Sequence, residues 1–375
     1  MNRLITSIDK IPTPAVVVEL SRLKRNLKIV ERIKKETNCQ VLLALKAFST
    51  FALFPYMKPY FDGTTASGFY EAKLGFEKFG KQVHTYSPAY DATEIKNLTK
   101  ISNHIYFNSI NQYERFAPLI KNKKTKFGLR VNPQFSAVEF NMYNPCQQYS
   151  RFGVLKENLP KNLPQNIDTL HFHALCESGA ETSASLIEHV ANNFAPWIKQ
   201  IKFVNFGGGH YFSKENYNLE LLISAINKFK EKFGVQVILE PGGAVVYDCG
   251  FLLAKVLDVI ENEKKIAILD TSATCHMPDV IEMPYRPRVA GDGAFKHKYI
   301  FTGKTCLSGD IIGEYAFKTP LKIGDKVMFL DMIQYTTVKT TTFNGVPLPE
   351  LGILDEKGNY KKIKKFGFNS FKDRL

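Results

Sequence analysis

Up to about residue 247 the chain alternates short apolar runs with amphipathic ones. Residues 15–20 (AVVVEL) read as a strand announced by Pro12 and Pro14, and Ser21 is placed to cap a basic amphipathic helix over 22–36. The next strand is 41–45, followed by strands over 62–66, 82–87, 104–107, 127–131, 169–175, 201–205 and 235–239. Helical spacing falls between them, around 71–72, 92–98, 112–121, 188–199 and 219–233. Repeated strand–helix units with short links build a parallel sheet with crossover helices, and about eight of them fit a closed barrel better than an open sheet. Beyond 247 the pattern changes. Residues 251–261, 265–271, 298–303, 326–330 and 336–343 read as strands separated by Gly, Pro and Asp turns, with little helical period. The expected fold is α/β: a (β/α)8 TIM-type barrel over 22–247, and a β-sandwich or β-barrel-like domain from 248–375 joined by the N-terminal strand within 1–21.

One position breaks the apolar pattern with consequence. Lys46 ends the run Val41-Leu42-Leu43-Ala44-Leu45, and a lone ammonium there needs a carboxylate partner or a chemical use, typically as a Schiff base with a carbonyl. Arg130, His173, the Asn205-Phe206-Gly207-Gly208-Gly209-His210 loop and Glu240 also fall at or just after strand ends, the rim where barrel active sites are built. Gly207, Gly208 and Gly209 leave backbone N–H groups free to approach an anion, and Pro241-Gly242-Gly243 after the following strand supplies the other half of a phosphate cup. Glu240 between the loops could hydrogen-bond a pyridine nitrogen and keep it protonated. A lysine, two glycine loops and that glutamate together suggest pyridoxal 5'-phosphate. A structural ion pair is the plainer use of Glu240, and a turn the plainer use of the glycines.

Two other chemistries compete. His171 and His173 share one strand face, a spacing that suits a zinc- or iron-dependent barrel hydrolase, with Cys176 and Glu177 close behind. The further ligands such a site needs are not evident, so no metal is assigned. His173 could instead stack on a cofactor ring, and His171 could be a satisfied core histidine. The net charge of +14 raises nucleic-acid binding, but the lysines are spread along the chain without a recognised motif. Their densest cluster, 357–372, reads as a solvated basic surface. The first ten residues lack an apolar stretch, and no run approaches membrane-spanning length, so neither a signal peptide nor a membrane helix is expected. Six cysteines without a C-x-x-C pair fit free thiols in a reducing cytoplasm. Among them Cys306 lies in a polar Gly/Ser/Asp-rich loop, where a thiol can transfer protons rather than fill a core.

The order Lys46, Arg130, His173, Gly207 to Gly209, Glu240-Pro241-Gly242, Cys306, Tyr335 resembles the fold-type III pyridoxal-phosphate decarboxylases, whose barrel the alanine racemases share. The finer resemblance is to the carboxynorspermidine/carboxyspermidine decarboxylases of polyamine biosynthesis. It is carried by Leu45-Lys46-Ala47, the HFHALCE run at 171–177, LDTSATCHMPDVIEMPYRP at 269–287 and CLSGDIIG at 306–313, and it covers nearly the whole chain. The resemblance implies that Lys46 binds the cofactor aldehyde, His173 stacks on its ring and Glu240 meets its nitrogen. It also implies that the glycine loops with Ser178 hold the phosphate and that Tyr335 approaches from the β domain. Cys306 would be the acid that reprotonates the product, contributed by the neighbouring subunit of an obligate homodimer. Asp310 would bind substrate amines, and Asp270, His276 and Asp279 belong to the same substrate group. Gly243 departs from pattern, because relatives carry arginine or glutamate after Glu-Pro-Gly. That moves amine recognition onto Asp279, Asp270 and Asp310. A basic protein taking a cationic substrate needs a local acidic patch, and the β domain offers Asp270, Asp279, Glu282, Asp310 and Glu314.

Overall fold

The computed structural model describes residues 8–121, 124–138, 140–283 and 285–375. It divides into two compact units: one is Asn26–Val245, and the other joins the described residues up to Arg25 with Val246–Leu375.

The first unit is a closed barrel of eight parallel strands: β2 (Gln40–Ala44), β3 (Gly63–Ala66), β4 (Gln82–Tyr86), β5 (His104–Phe107), β6 (Lys126–Arg130), β7 (Ile167–His171), β8 (Phe203–Asn205) and β9 (Gln236–Leu239). β9 pairs back onto β2, so no edge is left open. The helices between strands form for local reasons. In Leu219–Phe233, Asn218 accepts the N–H of Leu221 at the start and Gly234 turns left-handed (φ 67°) at the end. Leu222, Ile223, Ile226 and Phe229 recur at helical spacing and are buried on one face.

The barrel interior departs from the usual aliphatic layers. His84, His104, Tyr106, Thr169, His171 and Asn205 are all buried. Asn205 on β8 touches Tyr106 on β5, strands that are not neighbours, so these side chains meet across the interior. Tyr106 stacks on His104 with ring centroids 4.9 Å apart and planes 7° from parallel. Gly128 on β6 makes the room, because a β-carbon there would collide with the Tyr106 ring.

The second unit is one mixed sheet. Its strands are β1 (Ala15–Glu19), β10 (Gly250–Asn262), β11 (Lys264–Leu269), β12 (His297–Thr302), β13 (Ile311–Phe317), β14 (Lys326–Leu330), β15 (Glu350–Leu354) and β16 (Tyr360–Lys364). The order is β13-β12-β11-β10-β1-β15-β16, with β14 also on β10. β1 is antiparallel to β10 and parallel to β15, and Ala15 and Val17 pack with Phe251, Leu253 and Leu354. The edge strand β16 exposes Lys361, Lys362 and Lys364, charges that discourage further strand pairing.

Three expectations from sequence change. The first helix spans Leu20–Thr37, so Ser21 lies in its first turn instead of capping it. The Thr-rich 336–343 is not a strand but a helical turn, Thr336–Lys339, followed by the turn Phe343–Gly345. β13, β15 and β16 were unread, the first two because a glycine interrupts each apolar run. Among the described residues, no helix is long and apolar enough to cross a membrane.

Candidate active site

The barrel's C-terminal rim brings together Lys46, Arg130, His173, the Gly207 loop, Glu240 and Gly242. Lys46 follows β2, Arg130 ends β6, His173 follows β7, Gly207 follows β8 and Glu240 follows β9. The Lys46 ammonium lies 3.5 Å from His173 Nε2. Its side chain keeps exposed surface, yet the protein around it and the nearby Arg130 push its pKa down. A lowered lysine is a better nucleophile toward an aldehyde. His173 Nδ1 accepts the Gly208 N–H at 2.9 Å, so its neutral ring carries the proton on Nε2. Burial, then Lys46 and Arg130, hold His173 well below the usual imidazole range.

The glycine loop is built with no slack. Gly207 (φ 67°) and Gly209 (φ 90°) need left-handed backbone, and a β-carbon on Gly207 would strike His173, one on Gly209 the backbone of Leu175. Ser178 donates its N–H to the Gly209 carbonyl at 2.8 Å and so lies beside the loop. Gly242 packs against Ala44 and Ala47, bringing the second loop against the lysine-bearing strand end. Arg130 is sandwiched between the rings of Tyr86 (4.5 Å) and Phe152 (4.6 Å) and donates to the His173 carbonyl at 3.2 Å.

Glu240 is buried, and burial raises its pKa against the opposing hydrogen bonds of Asn205 and Thr65. His171 is buried with neither ring nitrogen hydrogen-bonded, its Nε2 3.5 Å from Glu240 Oε2. The histidine is therefore not the satisfied core residue that the sequence allowed. His171 and His173 do meet, with centroids 6.1 Å apart. Among the described residues, however, no group of three or more His, Cys, Asp or Glu could hold a metal ion.

These features fit pyridoxal phosphate: a backbone cradle that tolerates no side chain, a lysine amine, an imidazole beside it, and a buried carboxylate next to an orphaned histidine. When bound, the cofactor would supply an electron sink for a bonding pair left on the α-carbon of a substrate amine. Sequence reasoning gave no role to Asn205 and missed Tyr106, Thr65 and Glu71. Glu71, whose carboxylate accepts the Ser67 N–H at 2.7 Å, faces Lys46.

The remaining expected residues belong to the sheet unit, where two of them are buried and already hydrogen-bonded. His276 is fully buried, its ring between Thr271 Oγ1 (2.9 Å) and the Pro347 carbonyl (3.1 Å), with no nitrogen left for a substrate. Asp310 is buried and accepts from Ser272 Oγ, Ala273 N, Thr274 N, and both the hydroxyl and N–H of Thr305. Its carboxylate fastens the 303–310 loop to the 272–274 turn. Asp270 accepts the Lys255 N–H at 2.7 Å. Asp279 and Glu282 share Lys339, and Glu314 pairs with Lys264. Each acid of the expected patch thus has a partner within the chain. Cys306 is exposed on its loop, its N–H donating to Asn344 at 2.8 Å. Tyr335 precedes the Thr336–Lys339 turn in left-handed backbone (φ 56°).

His276 also makes a stability prediction. Burial lowers its pKa from 6.5 to about 4. Between those values the unfolded chain binds the proton and the native one does not, so stability present above pH 6.5 is lost as pH falls toward 4. The expected loss from this group is about 3 kcal/mol. Urea titrations across that window should be flatter for His276→Gln than for the parent.

A sequence-family profile described as "Pyridoxal-dependent decarboxylase, C-terminal sheet domain" matches residues 28–333, and the chain belongs to this family of pyridoxal-phosphate-dependent decarboxylases. Within it, the chain is 43% identical to the carboxynorspermidine/carboxyspermidine decarboxylase of Campylobacter jejuni, over 97% of this chain and 98% of that one. It is 40% identical to the carboxyaminopropylagmatine decarboxylase of a Synechocystis species, over 98% and 96%. The crystal structure of the Campylobacter jejuni carboxynorspermidine decarboxylase complexed with norspermidine superposes with a TM-score of 0.89 at 42% identity, covering 97% of this chain and all of that one.

Proposed function

We propose that this decarboxylase removes the α-carboxylate of carboxynorspermidine or carboxyspermidine and releases norspermidine or spermidine, a step of polyamine biosynthesis. The observation that carries the reading is 43% identity over nearly the full length to an enzyme of that name. Lys46 would hold the cofactor through its aldehyde, and His173, Glu240, Arg130 and the Gly207–Gly209 and Gly242 loops with Ser178 would complete its binding site, the loops and Ser178 on the phosphate side. Asp279, which retains partial exposure beside Lys339, takes a substrate ammonium in exchange for that lysine.

Cys306 is the acid that protonates the product carbon, and Tyr335 is assigned to cofactor binding. The assignment brings Cys306 from a second copy of the chain, so the working enzyme is a two-fold dimer with shared sites. Six cysteines, none of them in a disulfide, support a cytoplasmic setting. On this reading Cys306→Ala lowers kcat by about 10²–10⁴-fold, the usual worth of a positioned proton donor, with KM little changed. Steady-state kinetics checks this, and sedimentation analysis checks the dimer.

A second reading has its own support. The Synechocystis relative is nearly as similar, and the substrate in its name, carboxyaminopropylagmatine, ends in a guanidinium where the others end in an amine. Carbon dioxide release on separate offers of carboxynorspermidine, carboxyspermidine and carboxyaminopropylagmatine decides among them. A kcat/KM highest for the guanidinium substrate would overturn the first assignment.

A further inference from the structure

Asn205 ends β8 and opens the glycine loop, and its contacts fix which way its amide faces. The Gly207 N–H, which can only donate, lies 2.8 Å from the side-chain oxygen. The NH2 group therefore faces Glu240 Oε1 at 2.8 Å and the Tyr106 hydroxyl at 3.1 Å, and it donates to both. The Tyr106 oxygen, now an acceptor, has His84 Nδ1 at 2.9 Å, and His84 Nε2 has the Gln82 side-chain oxygen at 3.1 Å. His84 is buried and neutral, with one ring proton. Every group is satisfied in one arrangement only: Tyr106 O–H donates to His84 Nδ1, and His84 Nε2–H donates to Gln82. A chain of four hydrogen bonds thus runs from Glu240 through the barrel interior with its direction set.

We propose that Asn205 is a positioning residue of the cofactor site, oriented by Gly207 on one side and by Tyr106 and His84 on the other, so that it can only donate to Glu240 Oε1 and leaves Oε2 for the cofactor's ring nitrogen. The inference rests on the assignment of Glu240 to that nitrogen. It explains why the barrel interior is filled with polar rings, and why Gly128 gives up its side chain to seat Tyr106. The other groups facing Glu240 do not set this orientation. Lys46 and Arg130 act on it through charge, Thr65 adds a hydroxyl donor, and His171 is 3.5 Å from Oε2 without a formed hydrogen bond.

The test reads two quantities that a merely structural residue would not move. One is the titration of the Glu240 carboxyl in the cofactor-free protein, followed by carbon-13 NMR. The other is the nitrogen-15 shift of labelled pyridoxal phosphate in the holoenzyme, which reports protonation of the ring nitrogen. Asn205→Asp keeps the acceptor for Gly207 but sets a second carboxylate against Glu240. It should raise the proton affinity of Glu240 by at least about tenfold and leave the ring nitrogen less protonated. Tyr106→Phe keeps the ring and should shift both readouts the same way, by about threefold to tenfold. If both variants alter the melting temperature yet leave the two readouts at parent values, the network is only structural and the inference fails. Glu240→Gln separates the two failures. A nitrogen-15 shift that this variant also leaves unchanged removes the Glu240 assignment and the inference with it. A shift that moves in Glu240→Gln but not in Asn205→Asp sinks the inference alone.

Discussion

Lys46→Ala is expected to lower decarboxylation by on the order of 10⁴-fold or more and to abolish covalent attachment of the cofactor. The lysine follows a buried strand at the barrel rim, its ammonium pushed down by burial and by Arg130, with His173 beside it. Burial and Arg130 favour the uncharged amine that attacks an aldehyde, and no neighbour can replace it, because the facing imidazole is already committed through Nδ1 to Gly208. The cradle does not depend on Lys46: the Gly207 loop is closed by Glu240 N to Gly207 O at 2.8 Å, and Ser178 holds Gly209. The variant should therefore still bind pyridoxal phosphate, reversibly and without the visible band of the attached form. Borohydride reduction followed by peptide mass analysis should find the pyridoxyl group on Lys46 in the parent and on no peptide in the variant. A variant that releases carbon dioxide at parental rates would remove the central assignment.

Asp310→Ala is expected to cost on the order of 4 kcal/mol of stability, the largest loss predicted for a single side chain here. The carboxylate is buried and gathers donors from both Ser272–Ala273 and Thr305. Each buried donor left without an acceptor costs about 1–3 kcal/mol, reduced where water can enter the space. Gly303 is shaped for the same carboxylate, since a β-carbon there would overlap it. The prediction separates two uses of one acid. A substrate-binding aspartate would raise KM and leave the melting temperature of the substrate-free protein alone. An internal fastener lowers that melting temperature and, by loosening the loop that carries Cys306, lowers kcat as well. Thermal unfolding without substrate, read alongside steady-state kinetics, gives the answer directly.

Sequence legibility followed the strength of local pattern. The helices Ala92–Leu98 and Leu219–Phe233 and the strands His104–Phe107 and Lys126–Arg130 were read closely, because apolar period, caps and glycine stops agree there. At 336–343 threonines favoured a strand, but Tyr335 in left-handed backbone starts a helical turn instead. The rim residues were legible because lysine, arginine, histidine and glutamate at strand ends stand out against apolar runs. The network beneath them was not. Gln82 and His84, His104 and Tyr106, and Thr169 and His171 each sit two apart on one strand face, which was visible, but nothing local says that a barrel will face them toward one another. The acids of the sheet unit misled for the opposite reason. Their types suited a cationic substrate, while many of their partners, such as Lys339 for Asp279 and Ser272 for Asp310, come from segments distant in sequence.

The position of β1 at the heart of the sheet has a consequence for synthesis on the ribosome. Val18 must wait for Gly250, and Ala15 for Glu350, before either flank of the strand is paired. At ordinary elongation rates the first of those waits is roughly 10–50 s, long enough for every strand of the barrel to emerge. The apolar AVVV segment is thus the part of the nascent polypeptide most in need of a chaperone, and the last β-hairpin to be translated is the one that releases it.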